Sequence, residues 1–263
     1  MYSKCLICGG DFEKIVLNSL LMRRCVSCGL VWRENFDLEK DYYEKGVVVL
    51  GEEKMEARRR NCLDRMRIIK KWINLDNLCD IGCGEGSFIK ELKKGGYKNV
   101  IGIDPSLEAI KFALGSGEEV FLGNLDEALS LIKDKKIEVI TMFHVIEHLE
   151  NPLESVEKIR KVLPDRGCLI IETPDFQSFS LLVSNFKYSL INPEHLFYFN
   201  EFNLKKLLQK AGFTVKNWGR RDFDQWNMGI GESLKRLGWG TRGENKDGRY
   251  DGDEEISRRE KKH

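Results

Sequence analysis

No stretch of this 263-residue sequence approaches the 18 or more apolar residues needed to span a bilayer, so membrane insertion is not expected. The opening residues MYSKCLICGG lack the basic-then-apolar order of an export signal, and a cytoplasmic location is the expectation. Net charge is also nearly absent. The 43 Lys and Arg stand against 42 Asp and Glu, a formal charge of +1, so the molecule has no polycation character to hold it on nucleic acid or an anionic membrane. A local basic patch stays open. Histidine is scarce, with four residues of which His263 lies in the tail, so the other three are informative by location. What remains is the make-up of a folded globular protein: 41% hydrophobic, 32% charged, and long enough to bury a large core without staples.

Cysteine is plentiful, but its placement does not suit a disulfide framework. Of the eight, Cys62, Cys79, Cys83 and Cys168 are scattered among residues that read as core. The other four, Cys5, Cys8, Cys25 and Cys28, form two Cys-x-x-Cys pairs, each followed at once by a glycine, Gly9 or Gly29. A Cys-x-x-Cys-Gly knuckle turns the backbone tightly enough to aim two sulfurs at one point. Two knuckles joined by a short hairpin then give four thiolates in the tetrahedron that structural zinc prefers. Redox chemistry or coincidence would not explain the repeated glycine. Residues 1–35 are therefore expected to form a zinc ribbon.

Residues 36–74 are expected to be a linker and a covering helix. Tyr42 and Tyr43 suit a domain boundary or a pocket entrance. Met55, Cys62, Met66 and Ile69 recur at helical spacing, and Arg58 to Arg60 suit its wet face, with a weak suggestion of an anionic partner.

From 75 to 239 the pattern is buried strand, turn and helix in alternation. Strands are expected at 78–81, 100–103, 120–122, 138–143 and 168–172, which implies an α/β fold with a doubly wound, mostly parallel Rossmann-like sheet. Ligands of such sheets bind beyond the carboxyl ends of the strands. There the sequence DIGCGEG places Gly82, Gly84 and Gly86 after the first strand, where a loop without side chains lets a ligand approach the backbone. The spacing is G-x-G-x-G, not the dinucleotide G-x-G-x-x-G. Asp80 would repel a pyrophosphate and suits the ammonium of an amino-acid-like ligand. Asp104, at the end of the second strand, suits the two hydroxyls of a ribose.

DIGCGEGSF, GIDPS and LPDRGCLIIETP together resemble motifs of class I S-adenosylmethionine-dependent methyltransferases over roughly residues 75–218. The resemblance implies a seven-stranded methyltransferase sheet and S-adenosyl-L-methionine as cofactor. It places Gly82, Cys83, Gly84 and Gly86 under the methionine part and Asp104, with Pro105 and Ser106, at the ribose. Asn124 and Leu125 of FLGNLDEAL would lie near adenine, where many relatives have Asp for Asn124. Phe143 and His144 would lie on the adenosine or methyl-donor side. With CLICGG and CVSCGLVW ahead of it, the chain resembles zinc-ribbon methyltransferases that modify sugars, glycans and small metabolites. The expected activity is methyl transfer to a small-molecule or saccharide-linked acceptor, on a hydroxyl. A zinc-ribbon RNA base methyltransferase is the alternative, although such enzymes usually have a histidine among their zinc ligands; a noncatalytic nucleic-acid-binding protein is the other.

Methyl transfer to a hydroxyl benefits from a base. In TMFHVIEHLENP, Glu147 and His148 could act as a hydrogen-bonded pair, or His148 could brace the strand–helix junction. One Glu-His pair offers too few ligands to predict a divalent cation there. His195, on a loop before a helix capped by Asn200, is the second candidate base, or else makes a structural hydrogen bond. That helix is expected to turn Phe202, Leu204, Leu207 and Leu208 inward and to end at Gly212, with a strand from Phe213 to Val215. Phe176, Phe179, Phe186 and Tyr188 suit an apolar lid or a packed helix. No clean strand follows Val215, and the charge-dense residues 240–263 are expected to be disordered.

Overall fold

The computed structural model describes residues 2–35, 52–177, 191 and 193–220. Tyr42, Tyr43, Phe179, Phe186, Tyr188 and the charged tail lie outside them. Met1–Gly219 makes one compact unit, with Arg220–His263 assigned to a second.

The N-terminal segment forms an antiparallel sheet. β1 (Phe12–Leu17) and β2 (Leu20–Cys25) pair across a two-residue loop, Asn18 and Ser19, whose positive φ values of 47° and 63° match the twist of the flanking strands. β3 (Val31–Arg33) continues the sheet. Its fourth strand comes from the far end of the chain: β9 (Phe197–Tyr198) pairs antiparallel with β3, so the order is β1-β2-β3-β9.

Between them, α1 (Glu52–Ile69) leads into five parallel strands: β4 (Leu78–Ile81), β5 (Val100–Asp104), β6 (Val120–Leu122), β7 (Val139–Phe143) and β8 (Cys168–Glu172). Their order is β6-β5-β4-β7-β8. The chain steps outward from β4 to β6, then returns past β4 to β7, which puts the topological switch point, where ligands of such sheets bind, between β4 and β7. All residues of β4 and β7 are buried, as expected of strands covered on both faces.

The crossovers are α2 (Ser87–Lys94), α3 (Leu107–Gly115), α4 (Leu125–Ile132) and α5 (Pro152–Val162). α6 (Glu201–Lys210) follows β9. Local chemistry sets their ends. Ser106 accepts a hydrogen bond from the Ala109 amide, and Asn124 and Asn200 each close a capping box. Asn151 stands at the start of α5, but its side chain donates to Glu154 instead of capping the backbone.

One apolar core joins the two sheets. Leu30, Trp32 and Phe197 pack in the same cluster as Ile81, Ile103 and Ile140, together with Leu129, Val156 and Leu207 of the helices. α1 covers a second cluster through Cys62, Met66 and Ile69, against Phe88, Leu92 and Phe143.

Three local expectations are corrected. Phe202 is exposed at 59%, because a residue two positions from the inward Leu204 points about 200° away around a helix. Met55 is exposed, and the buried stretch of α1 begins at Cys62. Residues 213–215 form no strand, and the nearby FYF stretch joins the cysteine-bearing sheet instead. Among the described residues no helix is long and apolar enough to cross a membrane.

Candidate functional site

The four N-terminal cysteines converge. Cys5 Sγ lies 3.6 Å from Cys28 Sγ, Cys8 Sγ lies 3.4 Å from Cys25 Sγ, and all four sulfurs are within 4.8 Å of one another. The two knuckles have the same backbone plan. Gly9 and Gly29 have φ of 71° and 70°, and their amides donate to the carbonyls of Cys5 and Cys25. Peptide N–H groups of Gly10 and Cys28 point at the sulfurs of Cys8 and Cys25, each at 3.4 Å, as thiolate charge requires. Hydrogen bonding from Cys28 outweighs burial and holds the Cys5 thiol down, to about 5, while Cys28 is pushed up by the same contact. The donor set fits a tetrahedral soft-ligand metal with no open position.

The glycine loop leaves β4 at the switch point. Gly82 has φ of 76°, and a Cβ there would run into the Val145 side chain behind β7. Gly84 differs: with φ of 54°, a Cβ would meet nothing within 4 Å, so its backbone faces open space. Its amide donates to Asp104 Oδ2 at 2.8 Å, while the Ser106 amide donates to Asp104 Oδ1 at 2.8 Å. The carboxylate at the end of β5 is thereby fixed in orientation, and burial pushes its pKa up. Cys83 is buried, packed so closely that a Cβ on Gly102 would lie 2.6 Å from its sulfur. Pro105 is exposed, Ser106 is buried as the cap of α3, and Gly86 leads into α2 with φ of 76°.

Asp80 is buried in β4 and accepts a 2.5 Å hydrogen bond from the Thr141 hydroxyl on β7. Burial pushes its pKa up to about 7, with Thr141 and Arg65 pulling against that and Asp104 adding to it. Asn124 spends its Oδ1 on the amides of Asp126 and Glu127, and Leu125 opens α4 beside it. Phe143 packs edge-on against Phe88 under the Arg65 guanidinium.

Beyond β7 a polar cluster gathers. His144 has a positive φ of 58°, a left-handed conformation uncommon outside glycine and asparagine. Its Nε2 is 3.2 Å from Glu172 Oε1 and its Nδ1 is 3.3 Å from Glu147 Oε1. Burial lowers the His144 pKa, but these two carboxylates outweigh it and lift the pKa to about 9. Glu147 is 1% exposed, and its Oε2 accepts a 2.9 Å hydrogen bond from the Thr173 hydroxyl. His148 Nδ1 lies 3.0 Å from the Glu194 carbonyl, and its ring meets that of His195 edge-on at 4.8 Å between centroids. Burial holds the His148 pKa down. Carboxylate and imidazoles of Glu147, His148 and His195 converge with ligand atoms within 4.8 Å of one another, so residues 47 or more positions apart in sequence share one site.

Sequence reasoning missed the support around this site. Arg65 of α1 holds Glu172 through two hydrogen bonds, at 2.8 and 3.2 Å. Arg58, one heptad earlier on the same face, pairs with Glu85 of the glycine loop, and Arg59 reaches Glu91. These arginines face the domain; the seven-residue spacing of 58 and 65 was the available signal. Thr141 and Thr173 carried none.

Residues 53–217 match the family model described as a methyltransferase domain. A probable S-adenosylmethionine-dependent methyltransferase of Mycolicibacterium smegmatis is 29% identical over 176 residues, 66% of this chain and 65% of that protein. A tRNA U34 carboxymethyltransferase of Aeromonas hydrophila is 31% identical over 100 residues, 36% of this chain and 30% of its own. A ubiquinone biosynthesis O-methyltransferase of Actinobacillus pleuropneumoniae is 31% identical over 104 residues, 36% and 44% respectively. The matched stretch spans less than two thirds of each of these relatives. A solved SAM-dependent methyltransferase from Archaeoglobus fulgidus shares the fold at a TM-score of 0.51 and 24% identity, covering 71% of this chain and 90% of that one.

Proposed function

The chain belongs to the methyltransferase-domain family, and from that premise we propose that it is an S-adenosylmethionine-dependent methyltransferase that methylates a hydroxyl of a small-molecule or saccharide-linked acceptor. The observation that carries this reading is the pairing, at one switch point, of an open glycine loop with a buried carboxylate and two imidazoles, one buried and one half-buried. The methyl group arrives already activated on a sulfonium, so alignment and water exclusion are the protein's main tasks. Gly82, Cys83, Gly84 and Gly86 bring backbone to the cofactor's amino-acid end, where Asp80 meets the ammonium. Asp104 takes the ribose hydroxyls, with Pro105 and Ser106 beside it. Asn124 and Leu125 flank the adenine, and Phe143 and His144 lie toward the methyl donor.

The acceptor proton leaves through the cluster of Glu147, His148 and His195. A hydroxyl is the acceptor class that needs this service, and neutral imidazole is the group suited to it near pH 7. The chain's near-zero net charge disfavours nucleic acid as acceptor. Its likeness to a tRNA-modifying enzyme supports RNA as the second reading.

Cys5, Cys8, Cys25 and Cys28 hold a structural zinc, in a ribbon over residues 1–35. Residues 36–74 connect it to a methyltransferase domain at 75–239, before a charged tail. A reducing, cytoplasmic compartment would keep these four thiols available to the metal. Calorimetric titration with S-adenosylhomocysteine tests the cofactor assignment, and well-folded protein that fails to bind it would sink the reading. Radiolabelled methyl transfer into a cell extract tests the acceptor. Label in the small-molecule or saccharide fraction supports the proposal, and label confined to RNA overturns it in favour of the second reading.

A further inference from the structure

We propose that Glu147, His148 and His195 form a binding site for a divalent first-row transition-metal ion, distinct from the cysteine site. Four observations meet there. The three side chains bring their ligand atoms within 4.8 Å of one another. An ion about 2.1 Å from each donor requires the donors to come within about 4.2 Å of one another, so binding would draw them slightly together.

Second, Glu147 is 1% exposed, and its Oε1 is buried without a hydrogen-bond partner. His144 Nδ1 stands 3.3 Å away, in an orientation that does not complete a hydrogen bond. The oxygen thus rests on the His144 ion pair alone, and a metal ion would give it the direct ligation that this contact does not. Third, the other oxygen is oriented from outside: the Thr173 hydroxyl donates to Oε2 at 2.9 Å. Fourth, His148 Nδ1 sits 3.0 Å from the Glu194 carbonyl. A carbonyl only accepts, so Nδ1 carries the proton and the lone pair lies on Nε2. A metal-ligating imidazole is normally held in this way by a backbone carbonyl at its other nitrogen.

The donor set selects the ion. Two imidazoles and one carboxylate suit zinc, manganese, iron or cobalt, whereas magnesium and calcium prefer oxygen alone. Three protein donors leave positions open for water or an acceptor oxygen, unlike the closed four-thiolate site. The inference rests on the hydroxyl-acceptor reading above, keeping the acceptor class and replacing the imidazole base by activation at the ion. An acceptor hydroxyl bound to the ion loses its proton to water more readily, and the resulting oxygen lone pair forms the new bond to the methyl carbon as the carbon–sulfur bond of the donor breaks. The two imidazoles then serve as ligands and not as bases.

The test uses full-length protein with zinc already at the cysteines, titrated with cobalt(II) under equilibrium dialysis, with elemental analysis and absorption spectroscopy. The expected result is one cobalt per chain beyond the cysteine metal, without the sulfur-to-cobalt charge-transfer absorption that thiolate ligation gives. His195→Ala and Glu147→Gln should each weaken it by more than about tenfold, since even supporting residues around a metal contribute that much. Zinc content and circular dichroism report whether each variant is folded. Should one fail to fold, proton NMR of the wild type supplies the readout, because bound cobalt shifts the imidazole resonances of its ligands. Wild-type protein that takes up no further cobalt at millimolar concentration overturns the proposal, as do unshifted imidazoles or a folded His195→Ala variant that binds cobalt as tightly as wild type. S-adenosylhomocysteine binding, measured in parallel, keeps the two failures apart. Loss of the metal site alone leaves the methyltransferase reading and an imidazole base in place.

Discussion

Asp80 offers the most direct link between burial and cofactor binding. It is 3% exposed in the middle of the sheet, and its pKa stands at about 7 against 3.8 for the unfolded chain. Between those values the native state holds a proton that the unfolded state has lost. Stability therefore falls as pH rises from about 4 to 7 and levels off above that. The slope is about 1.4 kcal/mol per pH unit, and the total is about 4 kcal/mol as an upper bound. Asp80→Asn keeps an oxygen to accept the Thr141 hydroxyl and removes the titration. Urea unfolding midpoints from pH 4.5 to 7.5 should then fall less steeply in the variant, by up to one proton's worth of slope. Cofactor binding carries the same signature with opposite sign. An arriving ammonium favours the ionised carboxylate, so S-adenosylhomocysteine should release close to one proton near pH 6 and bind more tightly toward pH 7. Calorimetry in buffers of different ionisation enthalpy measures that proton directly. Asp80→Asn should bind at least about tenfold more weakly, with no such release. Equal pH slopes in variant and wild type, together with no proton release, would refute the assignment of a buried, protonated Asp80 waiting for a cation.

The two glycines at 82 and 84 should separate packing from ligand approach. Gly82→Ala drives a methyl into Val145 and should lower the thermal midpoint at a cost of about 1–3 kcal/mol, whereas Gly84→Ala meets open space and should cost stability only its backbone strain, about 1 kcal/mol, while weakening S-adenosylhomocysteine binding. Thermal unfolding and calorimetry of both variants check this, and equal stability losses would contradict it. Asp104→Ala should weaken S-adenosylhomocysteine binding by more than about tenfold, since the ribose contacts go together with the acceptor for the Gly84 and Ser106 amides; affinity within a few fold of wild type would remove Asp104 from the ribose. Cys25→Ser should release the zinc and lower the thermal midpoint of the whole unit in a single transition, because Cys25 and Cys28 share a core with Ile140 and Phe197. Two separate transitions in calorimetric unfolding would show that the ribbon melts alone.

What could be read from sequence was the chemistry that acts over a few residues. The strands at 78–81, 120–122 and 168–172 fall where short, mostly apolar runs meet turn residues, and the knuckle glycines and the Asn200 cap act within four positions of the groups they satisfy. The glycine loop and Asp104 were legible because a parallel sheet always brings successive strand ends together. Contacts between distant segments were not. β9 is two residues long, too short for any period, and its partner β3 lies more than 160 positions earlier. The Arg65–Glu172 pair and the Thr141–Asp80 bond join residues with no shared pattern, and Phe202 misled because hydrophobicity alone does not fix a helix face.

The short strand β9 ties the cysteine-bearing sheet to the segment that carries His195. His195 lies two residues before it, and the segment is held from both sides. The Arg33 amide of the cysteine-bearing sheet donates to the Leu196 carbonyl at 2.9 Å, and the Leu196 amide donates to the Glu147 carbonyl at 2.8 Å. His195 is thus positioned by a backbone chain running from β3 of the first sheet to the turn after β7 of the second. Asn203 at the start of α6 extends the link, its side-chain Nδ2 donating to the Cys28 carbonyl at 3.5 Å. This sheet shares its apolar core with the parallel sheet, and the zinc proposed at its four thiols would add rigidity at the cysteine end. That rigidity would pass through β3 to the histidine. On the function proposed above, the cysteines would need no contact with substrate to matter for turnover: fixing β3 would fix the distance between His195 and the Glu147–His148 turn, where the proposed base or metal ion lies.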